Sequence, residues 1–406
     1  MLAVRQLVAA AAANPRPLSL LRNRLPPPAV VIAAASSCAA YRQQPFSSSP
    51  ATLAASPATR LVAALRKETQ CSISKAREAV AATPSLSLSD ALAWLERDLA
   101  ASGAKKAAKL GDRVAAEGLV HAVCLPGGTG AAIVEVNAET DFVARSSDFV
   151  ELVGRVGNTA LVLGGEGRGE ATSSTAPQPA IVEVPLDFLK SAPRLPSLST
   201  ASSPAETDFK TVQEDVVETI GKLGENIRIR RAAVVTLLSD AAAAAASPSS
   251  FAGAYAHSGG DSTIPRGFGR IAAIAVLSAS TPTTSNAQRE ALRALAGKLA
   301  QHIVGFGPVV VADADLDTAD VGGRAEPLDG ETDAQRRDRL VLLRQPFVFG
   351  GGTVEEVLAR TAGELFTAAG DNAKLTVAQF VRWECGDGIE KKEDNFADEV
   401  KKQAGL

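Results

Sequence analysis

Between Ala131 and Val150 the chain reads AAIVEVNAETDFVARSSDFV, and its hydrophobic period changes once within those residues. Ala132, Val134 and Val136 recur every second residue on one strand face, with Ile133 and Glu135 on the other. Phe149, Leu152, Val153 and Val156 then recur at helical spacing, and Asp148 is expected to cap that helix, with Glu151 three residues on. A strand that runs into a helix over so short a break confines the chain to a mixed α and β architecture. The break itself is Glu139-Thr140-Asp141-Phe142-Val143. An acid beside a large aromatic, between two rigid elements, can present a wedge to a partner. On residue types alone the phenylalanine is expected to tuck into its own core, because most loop aromatics pack on their own domain.

The elements around this stretch follow the same two periods. Leu61, Val62, Leu65 and Arg66 open an amphipathic helix, Ser74 is expected to cap a second over Lys75 to Ala82, and Ser87 or Ser89 a third carrying Leu92, Trp94, Leu95 and Leu99. About 45 residues make a small core, which suits a docking module better than a catalytic domain. A basic helical linker follows, Gly103 to Lys109. Leu119 to Leu125 and Ala131 to Asn137 form a hairpin around Pro126 to Gly130. Residues 164–203 are rich in Gly, Ser, Pro and Thr and read as a loop, with one ordered piece at Ile181 to Leu189.

A second Glu-Thr-Asp-Phe occurs at Glu206 to Phe209, before a helix through Val212, Val216, Ile220 and Leu223, so Thr207 or Asp208 reads as its cap. Gly224-Glu225-Asn226 stops that helix and leads into a strand through Leu238. Ser239 to Gly267 reads as an Ala/Ser/Gly-rich excursion, and Phe268 to Leu277 as a strand. Ser285 with Gln288 and Thr353 with Glu356 are capping boxes opening two further helices. Leu375 to Cys385 is a strand with Phe380 and Trp383 on opposite faces, followed by a charged C-terminal helix carrying Phe396 and Val400. After residue 115 the two halves therefore share one plan: hairpin, helix, loop with a further helix, closing strand. This suggests duplication without a letter-level repeat.

The first 55 residues stand apart. They contain Arg5, Arg16, Arg22, Arg24 and Arg42 and no acid, and the first carboxylate of the chain is Glu68. That makeup is an organelle-import presequence, with a mitochondrial address favoured and removal expected between Tyr41 and Pro57.

Several function classes lose support. Net charge is −3, which gives no global basic signal for nucleic acid. No apolar run reaches the length of a membrane span. Cys38, Cys71, Cys124 and Cys385 are far apart, as are His121, His257 and His302, so neither a metal centre nor a Cys/His nucleophile pair is suggested. Gly127-Gly128-Thr129-Gly130 lacks the Lys-Ser/Thr tail of a nucleotide loop. No cofactor is expected. A binding protein accounts for these absences better than an enzyme does.

Taken in order, Leu61-Val62…Leu65-Arg66…Thr69, Gly103-Ala104…Lys106-Ala107-Ala108, Val134-Glu135-Val136-Asn137…Thr140-Asp141-Phe142-Val143-Ala144 and Gly224-Glu225-Asn226-Ile227…Arg230-Arg231 resemble elongation factor Ts. Gln345-Pro346-Phe347-Val348 and Phe380-Val381-Arg382…Gly386-Asp387-Gly388-Ile389-Glu390-Lys391-Lys392 extend the resemblance over roughly residues 58–406. With the presequence, the likeness is to the mitochondrial form. It implies an α+β chain: a presequence to residue 57, a three-helix ubiquitin-associated-like module over 58–103, a linker over 104–114, and two α+β subdomains with small antiparallel sheets over 115–238 and 239–406.

The resemblance also implies function. That family exchanges guanine nucleotide on elongation factor Tu and performs no covalent catalysis. Asp141 and Phe142 match its wedge, Leu223 and Gly224 its second contact pair, and His257 a contact histidine in a Tyr-x-His stretch. Arg66 and Ile73 match contacts of the helical module, where Gln70 to Ser74 stands in place of a Gly-rich turn. The partner implied is mitochondrial elongation factor Tu, with no direct nucleic acid and no membrane. The stretch from Pro308 to Gln345 is too short for a long coiled coil. A translation-associated adaptor without exchange activity, and an unrecognised metabolic enzyme, remain as alternatives.

Overall fold

The computed structural model describes residues 56–69, 71–164, 180–196, 210–237, 249–317, 326–367 and 373–390. The presequence up to residue 55, the second Glu-Thr-Asp-Phe and the expected C-terminal helix lie outside them. The chain divides into two compact units, one up to Leu92 and one from Ala93 onward.

The first unit is helical. Helix α1 spans Pro57–Thr69 and buries Leu61 and Leu65; α2 spans Ile73–Ala82 and buries Ala76, Ala79 and Val80. Ser72, and not Ser74, caps α2 by accepting from the Lys75 amide. The serines sit two apart and bond each other at 2.9 Å, and the helix begins two residues earlier than the sequence suggests. Helix α3, Leu88–Leu110, starts in this unit and ends in the second, so the expected linker is helical as far as Leu110.

The second unit is built from antiparallel sheet. Strand β1 (Glu117–Cys124) and β2 (Gly130–Ala138) form the expected hairpin. A single helical turn, α4 (Asp141–Ala144), leads into α5 (Ser147–Leu163). Ser146 caps α5 by accepting from the Phe149 amide; Asp148 lies inside the first turn, where its charge suits the helix dipole. The ordered piece in the loop is β3 (Val182–Glu183) with α6 (Leu186–Ser191). Helix α7 (Val212–Leu223) is capped by Thr211 in a box with Glu214, so neither Thr207 nor Asp208 caps it. Strand β4 (Arg228–Thr236) closes the first half against β2.

The excursion contains a full strand that its composition hides, β5 (Ser249–His257). The expected strand at Phe268 is broken at Arg270. Its first part, β6 (Phe268–Gly269), pairs with β1, and its second, β7 (Ile271–Ala279), pairs with β5. Helix α8 (Asn286–Phe306) follows, then α9 (Asp313–Leu316), α10 (Asp333–Leu340), α11 (Val354–Leu365) and β8 (Leu375–Glu384). Both predicted capping boxes, Ser285 with Gln288 and Thr353 with Glu356, are formed.

The strand orders are β3-β4-β2-β1-β6 and β5-β7-β8. In each sheet the second hairpin strand is central and the closing strand lies on its far side, so the two sheets share one plan. The two sheets face each other through Ile133, Ala233 and Val235 on one side and Ala272, Ile274 and Trp383 on the other. Helices α5 and α7 cover the outer face of the first sheet, and α8 and α11 that of the second. Strands β2 and β7 are thus buried on both faces, which is why AAIV and IAAIAVL are nearly continuous apolar runs. Phe149 is fully buried under β2 and contributes about 2–3 kcal/mol.

Glu135 is the one charged side chain on β2, a carboxylate with no exposure. A register shift between Glu135 and Val136 inserts one residue into β4, so Arg230 and Arg231 both turn towards it. They donate at 2.9 and 2.6 Å, and the Gly386 amide donates at 2.8 Å. Arg231 also lies over the Trp383 ring at 4.6 Å. The first sheet is thereby tied to the turn that ends β8.

Candidate functional site

Thr140 starts α4 in extended backbone and its hydroxyl accepts from the Val143 amide at 3.3 Å. Over the next four residues the turn sorts its side chains by direction. Ala144 is buried and Val143 packs half-buried against the core, which leaves Asp141 and Phe142 outward. Phe142 is 83% exposed, far more than any other large apolar side chain among the described residues. The two readings of this phenylalanine therefore resolve in favour of the outward one.

Leu223 is half-buried against the same core, and Gly224 follows in the left-handed region at φ +76, its amide donating to the Ile220 carbonyl at 2.8 Å. The two motifs, more than 80 residues apart in the chain, are clasped to each other. Glu225 accepts from the Thr140 amide at 3.0 Å and from the Thr140 hydroxyl at 2.7 Å. Glu139 accepts from the Asn226 amide at 2.7 Å. Each glutamate thus holds the amide of the residue that follows the other. Asn226 further donates to the Arg113 carbonyl at 2.7 Å, and Arg113 pairs with Glu139 at 3.3 Å, so the segment after α3 joins the clasp.

On its other side the turn borders a groove of about 490 Å³ shared with the loop after β5. Arg145 lies between two carboxylates there, 3.1 Å from Asp141 and 3.7 Å from Asp261. The hydroxyl and amide of Thr263 hold the Asp261 carboxyl below the usual range, so this acid stays ionised. His257 ends β5 at this edge and is exposed, its carbonyl accepting from the Arg270 amide at 2.9 Å. Asp141, Phe142, Leu223 and Gly224 are thus held as one assembly, and His257 lies one residue before the loop that lines the groove, without lining it. Arg66 and Ile73 belong to the first unit; Arg66 is exposed on α1 and Ile73 is 49% exposed at the start of α2.

The groups in this assembly are half-buried carboxylates, bonded to exposed guanidinium groups or to backbone and hydroxyl donors, together with one outward ring. Among the described residues no three His, Cys, Asp or Glu converge as metal ligands, and no helix is long and apolar enough to cross a membrane. The buried titratable groups lie elsewhere. Burial pushes the Cys385 thiol up to about 12 and the His121 ring down to about 4. Both changes favour the uncharged form, as expected of packed groups. The geometry suits docking against a protein surface. The clasping glutamates were not singled out from the sequence, although Glu139 and Glu225 sit inside the very motifs that were.

Comparison with known proteins gives a consistent result. The profile of the family described as Elongation factor TS matches residues 139–337. A protein of Coprinopsis cinerea named Elongation factor Ts, mitochondrial is 33% identical over 356 residues, covering 82% of this chain and 93% of that one. One of the same name from Laccaria bicolor is 38% identical over 263 residues, 62% of this chain and 72% of its own length. Elongation factor Ts of Rickettsia bellii is 31% identical over 354 residues, 83% of this chain and 94% of its own.

Proposed function

The chain belongs to the elongation factor Ts family, and from that premise we propose that it is the guanine-nucleotide exchange factor of mitochondrial elongation factor Tu. Its task is to speed GDP release and allow GTP to reload during elongation. The observation that carries the reading is the outward ring of Phe142, 83% exposed on a capped turn beside Asp141. A lone apolar ring held in water on a rigid element suits insertion into a partner.

The mechanism is linkage. A factor that binds nucleotide-free elongation factor Tu more tightly than the GDP form weakens GDP by the same factor. Phe142 inserts between elements of the partner's nucleotide domain, and Asp141 disturbs the surroundings of its bound Mg²⁺. A Mg²⁺ there would help hold the nucleotide, so displacing it would favour release. Leu223 and Gly224 form the second contact, His257 a third at the end of β5, and Arg66 and Ile73 contacts of the helical module. GTP binding reverses the coupling and releases the factor. No covalent step is assigned to this chain.

The setting proposed is the mitochondrial matrix. Support comes from relatives named as mitochondrial and from the Arg-bearing, acid-free start of the chain. The module and subdomain boundaries at 58–103, 115–238 and 239–406 are proposed on the same family likeness.

The test is release of labelled GDP from mitochondrial elongation factor Tu on adding this protein. Acceleration supports exchange. Complex formation with release at the spontaneous rate would replace exchange with the adaptor reading.

A further inference from the structure

We propose that Glu225 is a positioning residue of the exchange site, fixing the direction of Phe142 and coupling it to Leu223-Gly224. This inference rests on the reading of Phe142 as the wedge.

An exposed ring cannot be aimed by its own packing. At 83% exposure Phe142 touches little of its own chain, so its direction is that of the backbone beneath it. That backbone is α4, a helix of four residues, far too short to be stable alone. Two anchors hold it. Ala144, at its end, is buried. Thr140, at its start, offers an amide and a hydroxyl, and Glu225 takes both, one on each carboxylate oxygen. The Thr140 oxygen remains free to accept from the Val143 amide, so the same residue that Glu225 holds also caps the turn. Removing Glu225 takes away two bonds from the start of a one-turn helix.

The reciprocal bond makes the two contact motifs one body. Glu139 precedes Thr140 and reaches the Asn226 amide; Glu225 precedes Asn226 and reaches the Thr140 amide. A shift of the wedge turn therefore drags the end of α7, where Leu223 and Gly224 lie. Binding a wedge that is already ordered avoids the entropy of ordering it in the complex, and an insertion that must displace a partner's elements gains most from this.

Glutamine at 225 keeps the clasp in part. Its carbonyl can accept from the Thr140 amide while its amide donates to the hydroxyl oxygen. Alanine keeps neither bond.

The experiment uses the full chain in a double-mutant cycle, with GDP release and affinity for nucleotide-free elongation factor Tu both measured. Glu225→Ala is expected to slow stimulated release about tenfold, and Glu225→Gln about threefold or less. In a Phe142→Ala background, Glu225→Ala is expected to cost less than about twofold more, because its effect passes through the ring. Amide hydrogen exchange at Thr140 to Val143 is expected to rise in Glu225→Ala and much less in Glu225→Gln.

Equal losses in both backgrounds would overturn the positioning role while leaving the wedge in place. Wild-type release by Glu225→Ala, with Phe142→Ala impaired, would overturn it too. Wild-type release by Phe142→Ala would overturn the wedge and this proposal together. If Glu225→Ala does not fold, Glu225→Gln is compared with wild type in the same cycle, and release unchanged despite faster amide exchange would overturn the role.

Discussion

Asp141 and Arg145 pair at 3.1 Å, one helical turn apart, with side chains 45% and 58% exposed. An ion pair so open to solvent contributes at most about 1 kcal/mol, so the acid is not committed to its own chain. Arg145→Ala is expected to change stimulated GDP release by less than about fivefold. Asp141→Ala with Phe142→Ala is expected to lower it at least about tenfold, the loss of one buried aromatic contact, with the thermal midpoint unmoved. Normal release by the double variant would refute the wedge. The matching change at Asp208 and Phe209, which lie outside the described residues, is expected to leave release intact; a loss there would transfer the wedge to that copy.

How much of this was legible depends on the distance over which each feature is decided. The period change at Ala131–Val150 gave the strand, the break and the helix, because a central strand and its covering helix write their burial directly into the residues. Caps were less legible. Ser146, Ser147 and Asp148 are all competent, and the one that accepts from the Phe149 amide is chosen by packing of the helix behind it. The outward direction of Phe142 follows from Val143 and Ala144 taking the inward positions, which residue types alone do not decide. The clasp was not legible at all, since it joins residues 85 and 87 apart along the chain.

Strand β5 was missed because packing selected against the usual strand signal. Gly253 sits under α8 so closely that a Cβ there would lie 2.1 Å from the Ala296 carbonyl carbon. Apart from Phe251, Tyr255 and His257 the strand is Ala, Gly and Ser, with no β-branched residue to announce it. Gly253→Ala is therefore expected to destabilise the protein by about 3 kcal/mol, since backbone and not a flexible side chain must give way. Gly297, inside α8, has no neighbour that a Cβ would meet. Gly297→Ala is expected to stabilise by about 0.5–1 kcal/mol through helix propensity. Chemical denaturation of the two variants checks both signs; destabilisation of equal size would mean the close approach at Gly253 is not special.

Glu135 makes a different demand. Its carboxylate has no exposure and accepts from Arg230, Arg231, Asn137 and the Gly386 amide. Glu135→Ala leaves two guanidinium groups without their counter-charge and strands the Gly386 amide. Removing one partner of a buried pair costs about 3–5 kcal/mol, but both arginines are 28% exposed and can turn to water, so about 2–3 kcal/mol is expected. Denaturant unfolding measures it. A loss near zero would mean that water or another acid replaces the carboxylate, and that the turn after β8 does not depend on it.

The acid limb of stability should carry the signature of His121. The ring is buried, stacks on Phe268 at 3.9 Å, and has Nδ1 2.8 Å from the Gly267 carbonyl. As a neutral ring bonded this way, it carries its proton on Nδ1 and donates it to that carbonyl. Desolvation lowers its pKa from 6.5 to about 4, against the opposing pull of the Gly267 bond. Between those values the unfolded chain binds a proton that the folded chain refuses, so stability rises with pH there. The contribution is fully present above about pH 6.5 and lost as pH falls towards about 4, by about 3 kcal/mol at the foot. His302, also pushed down by burial, acts in the same direction. Carboxylates titrate near the lower end, so the difference from a variant is what assigns the effect. His121→Gln keeps a donor for Gly267 without a titrating ring. Wild type is expected to lose more stability than this variant between about pH 7 and 5, read as the shift in urea midpoint. Parallel curves would place the acid sensitivity elsewhere. Because Gly267 and Phe268 anchor the end of the loop that carries Asp261, amide exchange at Phe268 is expected to rise first on acidification, ahead of the β2 core.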